Sequence, residues 1–317
     1  LKTLALALGA VTLSVSARRA GVPYATITNA YWSPAFTPRF VVPNLPMVPI
    51  LGVGVSQAIF DLVRPLAFAV HARPMNRLRR HYGLPSLGSD LRRIYTDADL
   101  ALFSDIPEIY GLPPDSEQGG VFLGPIDWSP DIPLPGWWSE LDAQRPTIYV
   151  TLGSSGASEL LPPLLEGLGR LDAQLIVSTA GAPLPALSDS RVFCAEYLPG
   201  AAAAAITHMV VCNGGSPTSY QALAKGVPVL GLPGNLDQFL NMYYLEKNRL
   251  GLSLRGTPPT AKQVAAKAAR VLHETAFRQS ALGFAKVIEG YDNASRLRDA
   301  LRRFGIISHA PGTAGTG

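Results

Sequence analysis

The densest concentration of residues able to do chemistry lies between positions 213 and 241, NGGSPTSYQALAKGVPVLGLPGNLDQFLN. Gly214 and Gly215 stand between an apolar run and a helix-forming stretch. Paired glycines at such a turn let backbone N–H groups crowd toward a ligand. Pro217 suits the first helical turn, where no N–H is needed. The N–H groups of Ser216, Thr218 and Ser219, with the positive end of a helix dipole, predict an anion site. Gln221 follows one turn into that helix, placed to face a ligand bound at its start. A second constellation, Asp237-Gln238, falls at the carboxyl end of the next predicted strand. A carboxylate beside an amide offers several acceptors and two donors, which suits adjacent hydroxyls of a sugar ring. Asp237 alone also reads as a helix N-cap; Gln238 and the placement opposite the anion site favour the ligand role.

The elements that must hold these residues are legible in the surrounding pattern. Residues 147–151, 174–179, 191–196, 208–212 and 227–232 read as short strands. Helical stretches follow over 158–171, to position 225, and over 236–248 and 261–273. Strands alternating with helices mean βαβ units and a parallel, doubly wound sheet, which binds ligands outside the carboxyl ends of its strands. Ahead of this lie strands at 22–28, 100–104 and 120–124, a strand-like pattern from 16 onward, and a helix over 55–81 with breaks or kinks expected at Pro65 and Pro74. The predicted domains are 1–126, a linker at 127–146, 147–289, a returning helix at 290–304 and a disordered tail at 305–317.

The segment resembles the nucleotide-diphosphate-sugar glycosyltransferases of the GT-B fold, in their bacterial UDP-glycosyltransferase-like branch. That group carries H-G-G-x-G-T-x-x-E-A-L-x-x-G-V-P-x-x-x-x-P-x-x-x-D-Q-x-x-N. The chain matches with Gly214-Gly215, Thr218, Ala222-Leu223, Gly226-Val227-Pro228, Pro233, Asp237-Gln238 and Asn241, in register. It departs at Asn213 for His, Gln221 for Glu and Pro217 for the third glycine. The likeness extends to YVTLGSSG at 149–156, to Tyr197-Leu198-Pro199, and more loosely to AGVPY, NAYWSP and FLGPI. It implies an α/β GT-B architecture of two Rossmann-like domains with parallel sheets, the N-terminal one incomplete. It further implies that Asn213, Gly214, Gly215, Ser216, Thr218, Gly153, Ser154 and Ser155 meet the donor diphosphate and Gln221 the ribose. Tyr197 and Leu198 would meet the base, and Asp237 with Gln238 the donor sugar. Inverting members take their general base, a His oriented by an Asp, from the first βα unit of the acceptor domain. The chain reads as starting after about 100 residues of that domain. None of His71, His81, His208, His273 and His309 matches that position, so no catalytic residue is named.

The implied reaction moves a hexose from a UDP- or dTDP-sugar to an acceptor hydroxyl, inverting and metal-independent, with the nucleotide sugar as co-substrate and no cofactor. Aromatic residues at 31–60, among them Trp32, Phe36, Phe40 and Phe60 with Leu45 and Met47, suggest an apolar small-molecule or lipid acceptor. A donor-binding module needing a partner chain for its missing unit is the alternative; a sugar-nucleotide epimerase fits less well, because Asp237-Gln238 follows the transferase pattern. A net charge of +4 suits an anionic ligand or a peripheral contact with an anionic membrane. No basic block interleaved with aromatics argues for nucleic acid. Cys194 and Cys212 sit in apolar strands, which predicts free thiols in a reducing cytoplasm, at or away from a membrane surface, rather than a disulfide framework. No Cys/His spacing suggests a metal site. The apolar residues 1–16 read as an internal strand or helix rather than a secretory signal, and no later run approaches a membrane span.

Overall fold

The computed structural model describes residues 4–8, 12–36, 38–153, 158–183, 189–255 and 258–307. The chain forms two compact units, Leu1–Pro38 with Ala58–Ile126 and Tyr291–Gly317, and Arg39–Gln57 with Asp127–Gly290.

The first unit is built on β1 (Ala5–Leu8), α1 (Leu13–Ala20), β2 (Tyr24–Thr28), the start of α2 (Val48–His81) excepted, α3 (Arg93–Thr96), β3 (Leu100–Phe103) and β4 (Val121–Phe122). Its four strands pair in parallel in the order β1-β2-β3-β4. The apolar start of the chain is thus partly a sheet strand. Residues 13–20 are helical, although a strand-like pattern is expected from 16 onward. Val15 and Ala17 of α1 face inward, Arg18 and Arg19 complement the dipole of its last turn, and Gly21 closes it at φ 63°. Tyr31, Trp32 and Phe36 are buried, as is Phe40 of the second unit, and Phe36 packs on Phe103, Tyr110 and Phe122. These rings, which the sequence offers for an apolar acceptor, pack into the interior. Burial of such large rings is what stabilises a short four-stranded sheet.

The second unit runs β5 (Thr147–Thr151), α4 (Leu161–Leu168), β6 (Gln174–Ser178), β7 (Val192–Ala195), α5 (Gly200–Ala205), β8 (Met209–Cys212), α6 (Ser216–Leu223), β9 (Val229–Gly231), α7 (Leu236–Lys247), β10 (Gly251–Ser253), α8 (Ala261–His273) and α9 (Thr275–Glu289). Its six strands are parallel in the order β10-β9-β8-β5-β6-β7. Ile148, Val150, Leu175, Val177, Val211 and Leu230 pack one face of this sheet against Leu161, Leu164 and Leu168 of α4 and Val264, Ala268 and Val271 of α8. Full burial of aliphatic chains at about 1.5–3 kcal/mol each is the main favourable contribution here. α8 begins at a capping box, Thr260 Oγ1 accepting from Gln263 N and Gln263 Oε1 accepting from Thr260 N. β10 and α9 have no counterpart in the sequence reading. β10 has three residues, and α9 buries only Phe277 and Ala281.

Three boundaries differ from expectation. Residues 39–57 belong with the second unit, because Arg255 donates to the Val42 carbonyl (2.9 Å) and Asn44 to that of Pro233 (3.3 Å). Residues 127–146 are no free linker either. Trp137 Nε1 donates to the Cys194 carbonyl (3.0 Å), and Gln174 joins the Asp142 carbonyl to Thr147 Oγ1. α2 starts before the expected position 55, with Gly52 outside helical geometry, and by length and composition it is long enough to cross a membrane. Pro65 and Pro74 divide that run on paper, yet the helix continues through both. α10 (Asn293–Arg303) belongs to the first unit. Asn293 donates to the Pro125 carbonyl (2.6 Å), and Leu297, Ala300 and Leu301 pack with Ile27 and Leu102.

Cys194 and Cys212 are free thiols. Burial pushes the Cys212 thiol up to about 11. At pH 8 it is therefore protonated and screened, and a thiol-specific reagent is expected to modify it only after denaturant is added. Rapid labelling of the folded protein at Cys212, read by peptide mapping, would contradict its place in β8.

Candidate functional site

Strand register assembles the site. Gly231, Cys212, Thr151, Ser178 and Ala195 are paired neighbours across β9, β8, β5, β6 and β7. Each lies at the carboxyl end of its strand, so the following loops emerge along one rim. Those loops carry Pro233–Gly234, Asn213, Gly153, Ala180–Gly181 and Glu196–Leu198. The chain winds outward from β5 through β6 to β7, then crosses to β8 and winds the other way to β10. The reversal point lies between β5 and β8, where an open parallel sheet offers a crevice. Gly153 and Asn213 flank that point, and a Cβ on Gly153 would stand 3.6 Å from Asn213 Nδ2.

The turn from β8 into α6 is tightly braced. Gly214 adopts φ 76°, and Gly215 is the N-cap residue in extended geometry. Asn213 Oδ1 accepts from Gly215 N (3.0 Å), which fixes the turn from within. The first helical bond runs from Ser219 N to the Gly215 carbonyl (3.2 Å), and Ser219 Oγ donates to the same oxygen (2.8 Å). Ser219 is therefore committed to the helix and leaves the predicted anion set. Ser216 and Thr218 open α6 ahead of that first bond, at the positive end of its dipole. Asn241, the last residue of the resemblance, is buried and donates from Nδ2 to the Gly214 carbonyl (2.8 Å) and Ser219 Oγ (3.1 Å). It fastens α7 to the glycine turn.

α7 opens beside this turn. Its N-cap is Asn235, whose Oδ1 accepts from Gln238 N (3.0 Å), so Asp237 is not the cap. Asp237 stands half-buried in the first turn, where the helix dipole favours its negative charge. Gln238 is buried, and its Oε1 accepts from Gly234 N (2.8 Å). That bond leaves Nε2 as the end suited to donation.

Gln221 meets residues absent from the sequence reading. Its Nε2 donates to Asp127 Oδ1 (3.1 Å) and to the Trp128 carbonyl (3.2 Å). Ser129 Oγ accepts from Ala201 N (3.4 Å), so residues 127–129 lie over α5 and α6. Trp128 itself presents an exposed indole. Its position in a proline-rich stretch hid it; the three tryptophans of 127–146 were the available signal. Tyr197 is exposed at the end of β7, whereas Leu198 is buried and offers only its backbone. Ser154 and Ser155 lie outside the described residues. Among these named site residues none is Lys or Arg.

The histidines do not gather here. His208 Nδ1 accepts from Thr147 N (3.2 Å), and His71 lies on α2 with Nδ1 against the Ala67 carbonyl (2.7 Å). His81 stacks edge-on with Tyr82, His273 ends α8, and His309 is outside the described residues.

No protein-family model matches the chain. A PGL/p-HBAD biosynthesis glycosyltransferase of Mycobacterium tuberculosis is 48% identical over 274 residues, 86% of this chain and 63% of that protein. A PGL/p-HBAD biosynthesis rhamnosyltransferase of Mycobacterium bovis is 44% identical over 274 residues, 86% of this chain and 60% of that protein. The spinosyn rhamnosyltransferase SpnG, solved with thymidine diphosphate, superposes with a TM-score of 0.65 over 93% of this chain and 72% of its own, at 18% identity. The chain is a GT-B-fold relative of these glycosyltransferases. It spans less than two thirds of the length of the two mycobacterial proteins. The GT-B architecture explains why the residues of 213–241 converge with Gly153 and Tyr197 on one rim: each follows a parallel strand of the same sheet.

Proposed function

We propose that the chain is the donor-binding part of a glycosyltransferase that moves a hexose from a UDP- or dTDP-sugar to a hydroxyl of an apolar small-molecule or lipid acceptor. The observation that carries this reading is the braced Asn213–Ser216 turn at the sheet reversal point, with Asp237 and Gln238 opening α7 beside it. In this reading the first-turn N–H groups of α6 hold the diphosphate, and their dipole stabilises the charge that develops as the sugar leaves. Asp237 accepts from sugar hydroxyls, and Gln238 Nε2 donates to one. The exposed faces of Trp128 or Tyr197 give the planar base a surface. Transfer inverts the anomeric carbon and uses no metal, so a chelator leaves the rate unchanged. Relatives named as rhamnosyltransferases, and a neighbour bound to thymidine diphosphate, favour a dTDP-deoxyhexose among the donors.

Calorimetry with UDP, dTDP and their hexose derivatives tests the reading. At least one nucleoside diphosphate and its sugar conjugate should bind with one-to-one stoichiometry. Failure of all of them to bind would remove the site assignment. A second reading is a binding module that transfers nothing by itself, favoured by described histidines (His71, His81, His208 and His273) that lie away from the rim. Donor binding without transfer to any acceptor, restored by adding a polypeptide with a further βα unit, would select it.

A further inference from the structure

We propose that α2 docks the protein on an anionic lipid bilayer, its outer face lying in the interface between headgroups and acyl chains. Within the first unit, Ile59, Leu62, Leu66 and Val70 follow one another at three- and four-residue steps and are all exposed. They form one apolar stripe along about 17 Å of helix, with Val63 at its edge. Leu62 is 82% exposed and Leu66 63%, far from the ordinary state of buried leucine. The same spacing then continues through Arg73, Arg77 and Arg80, all exposed, so the stripe changes from apolar to basic without leaving its face. Asp61 stands beside the apolar portion and is paired with Arg64 (3.1 Å).

Behind the basic portion, the far face of α2 is held by protein. Ala72, Met75 and Arg79 are buried, and Ala72 and Met75 pack with Val15 and Ile94. From Ala72 onward the helix thus offers solvent the arginine-bearing face alone, and this anchored end fits a helix lying in an interface. In water the apolar stripe is costly to leave uncovered. In a bilayer interface it dips below the headgroups, while the three guanidiniums reach anionic phosphates. A neutral partner would satisfy the leucines and gain nothing from the arginines; an anionic lipid surface uses both. The inference is independent of which sugar is moved.

Vesicle co-sedimentation tests it, with phosphatidylcholine alone and with phosphatidylcholine mixed with phosphatidylglycerol. The protein should sediment with the anionic vesicles, less so as salt rises, and stay in solution with the neutral ones. Arg73→Ala with Arg77→Ala should weaken binding about tenfold or more. Leu62→Ser with Leu66→Ser should weaken it about as much while keeping the salt dependence of what remains. All four side chains are exposed, so circular dichroism and thermal melting should match the parent protein. Absence of binding to anionic vesicles, or equal binding by both variants and the parent, overturns the proposal. So does an oligomer, seen by light scattering, that the leucine pair dissolves while vesicle binding persists, since the stripe is then an interface between copies.

Discussion

Asp237→Asn is expected to leave affinity for the bare nucleoside diphosphate nearly unchanged while weakening the nucleotide sugar about tenfold to a hundredfold. The substitution keeps the shape of the side chain and removes its charge. Hydrogen bonds to a charged acceptor contribute about 1.5–3 kcal/mol, which sets that range. The diphosphate is held by a different element, the start of α6, so its affinity should not follow. Helix α7 keeps its cap, because Asn235 and not Asp237 accepts from Gln238 N. Gln238→Ala is less clean, since it also removes the acceptor of Gly234 N. Calorimetry with both ligands on the Asn variant separates the roles. Equal weakening of both would place Asp237 on the diphosphate instead; no weakening of either would remove it from the site.

Gly214→Ala should lower stability by about 2–4 kcal/mol and abolish nucleotide binding at temperatures where the parent still binds. Two penalties combine there. The backbone sits at φ 76°, a region that side chains enter at a cost, and an added Cβ would stand 2.7 Å from Met242 Cγ. Either adjustment moves the carbonyl that accepts from Asn241 Nδ2, and with it the link between α6 and α7. Thermal melting followed by circular dichroism measures the first effect. Adding Met242→Ala to Gly214→Ala should relieve the contact but not the backbone penalty, recovering only part of any loss. An unchanged melting temperature in Gly214→Ala would mean that the turn tolerates a different geometry.

The glycine turn, Pro217 in the first turn of α6 and the strands that feed them were legible because each is a local matter of backbone freedom and hydrophobic period. The burial of Tyr31, Trp32, Phe36 and Phe40 was not, since an aromatic run looks alike whether it lines a pocket or fills a core. Asn241 shows the same limit. The motif match gives it no role, and its two hydrogen bonds make it a brace. Asp127 and Trp128 reach Gln221 from across more than ninety residues, a distance that no periodicity reports.

The sequence by itself determined a parallel α/β architecture and the chemistry offered at 213–241, because strand period, turn glycines and polar side chains act over a few neighbouring residues. Only the tertiary structure decided which of those polar atoms remain for a ligand. Ser219, Asn213 Oδ1 and Gln238 Oε1 are taken up by backbone partners, and Leu62 and Leu66 on the outer face of α2 stand exposed among the described residues. Hydrogen-bond satisfaction and exposure depend on what lies close in space, and the order of residues along the chain does not fix that.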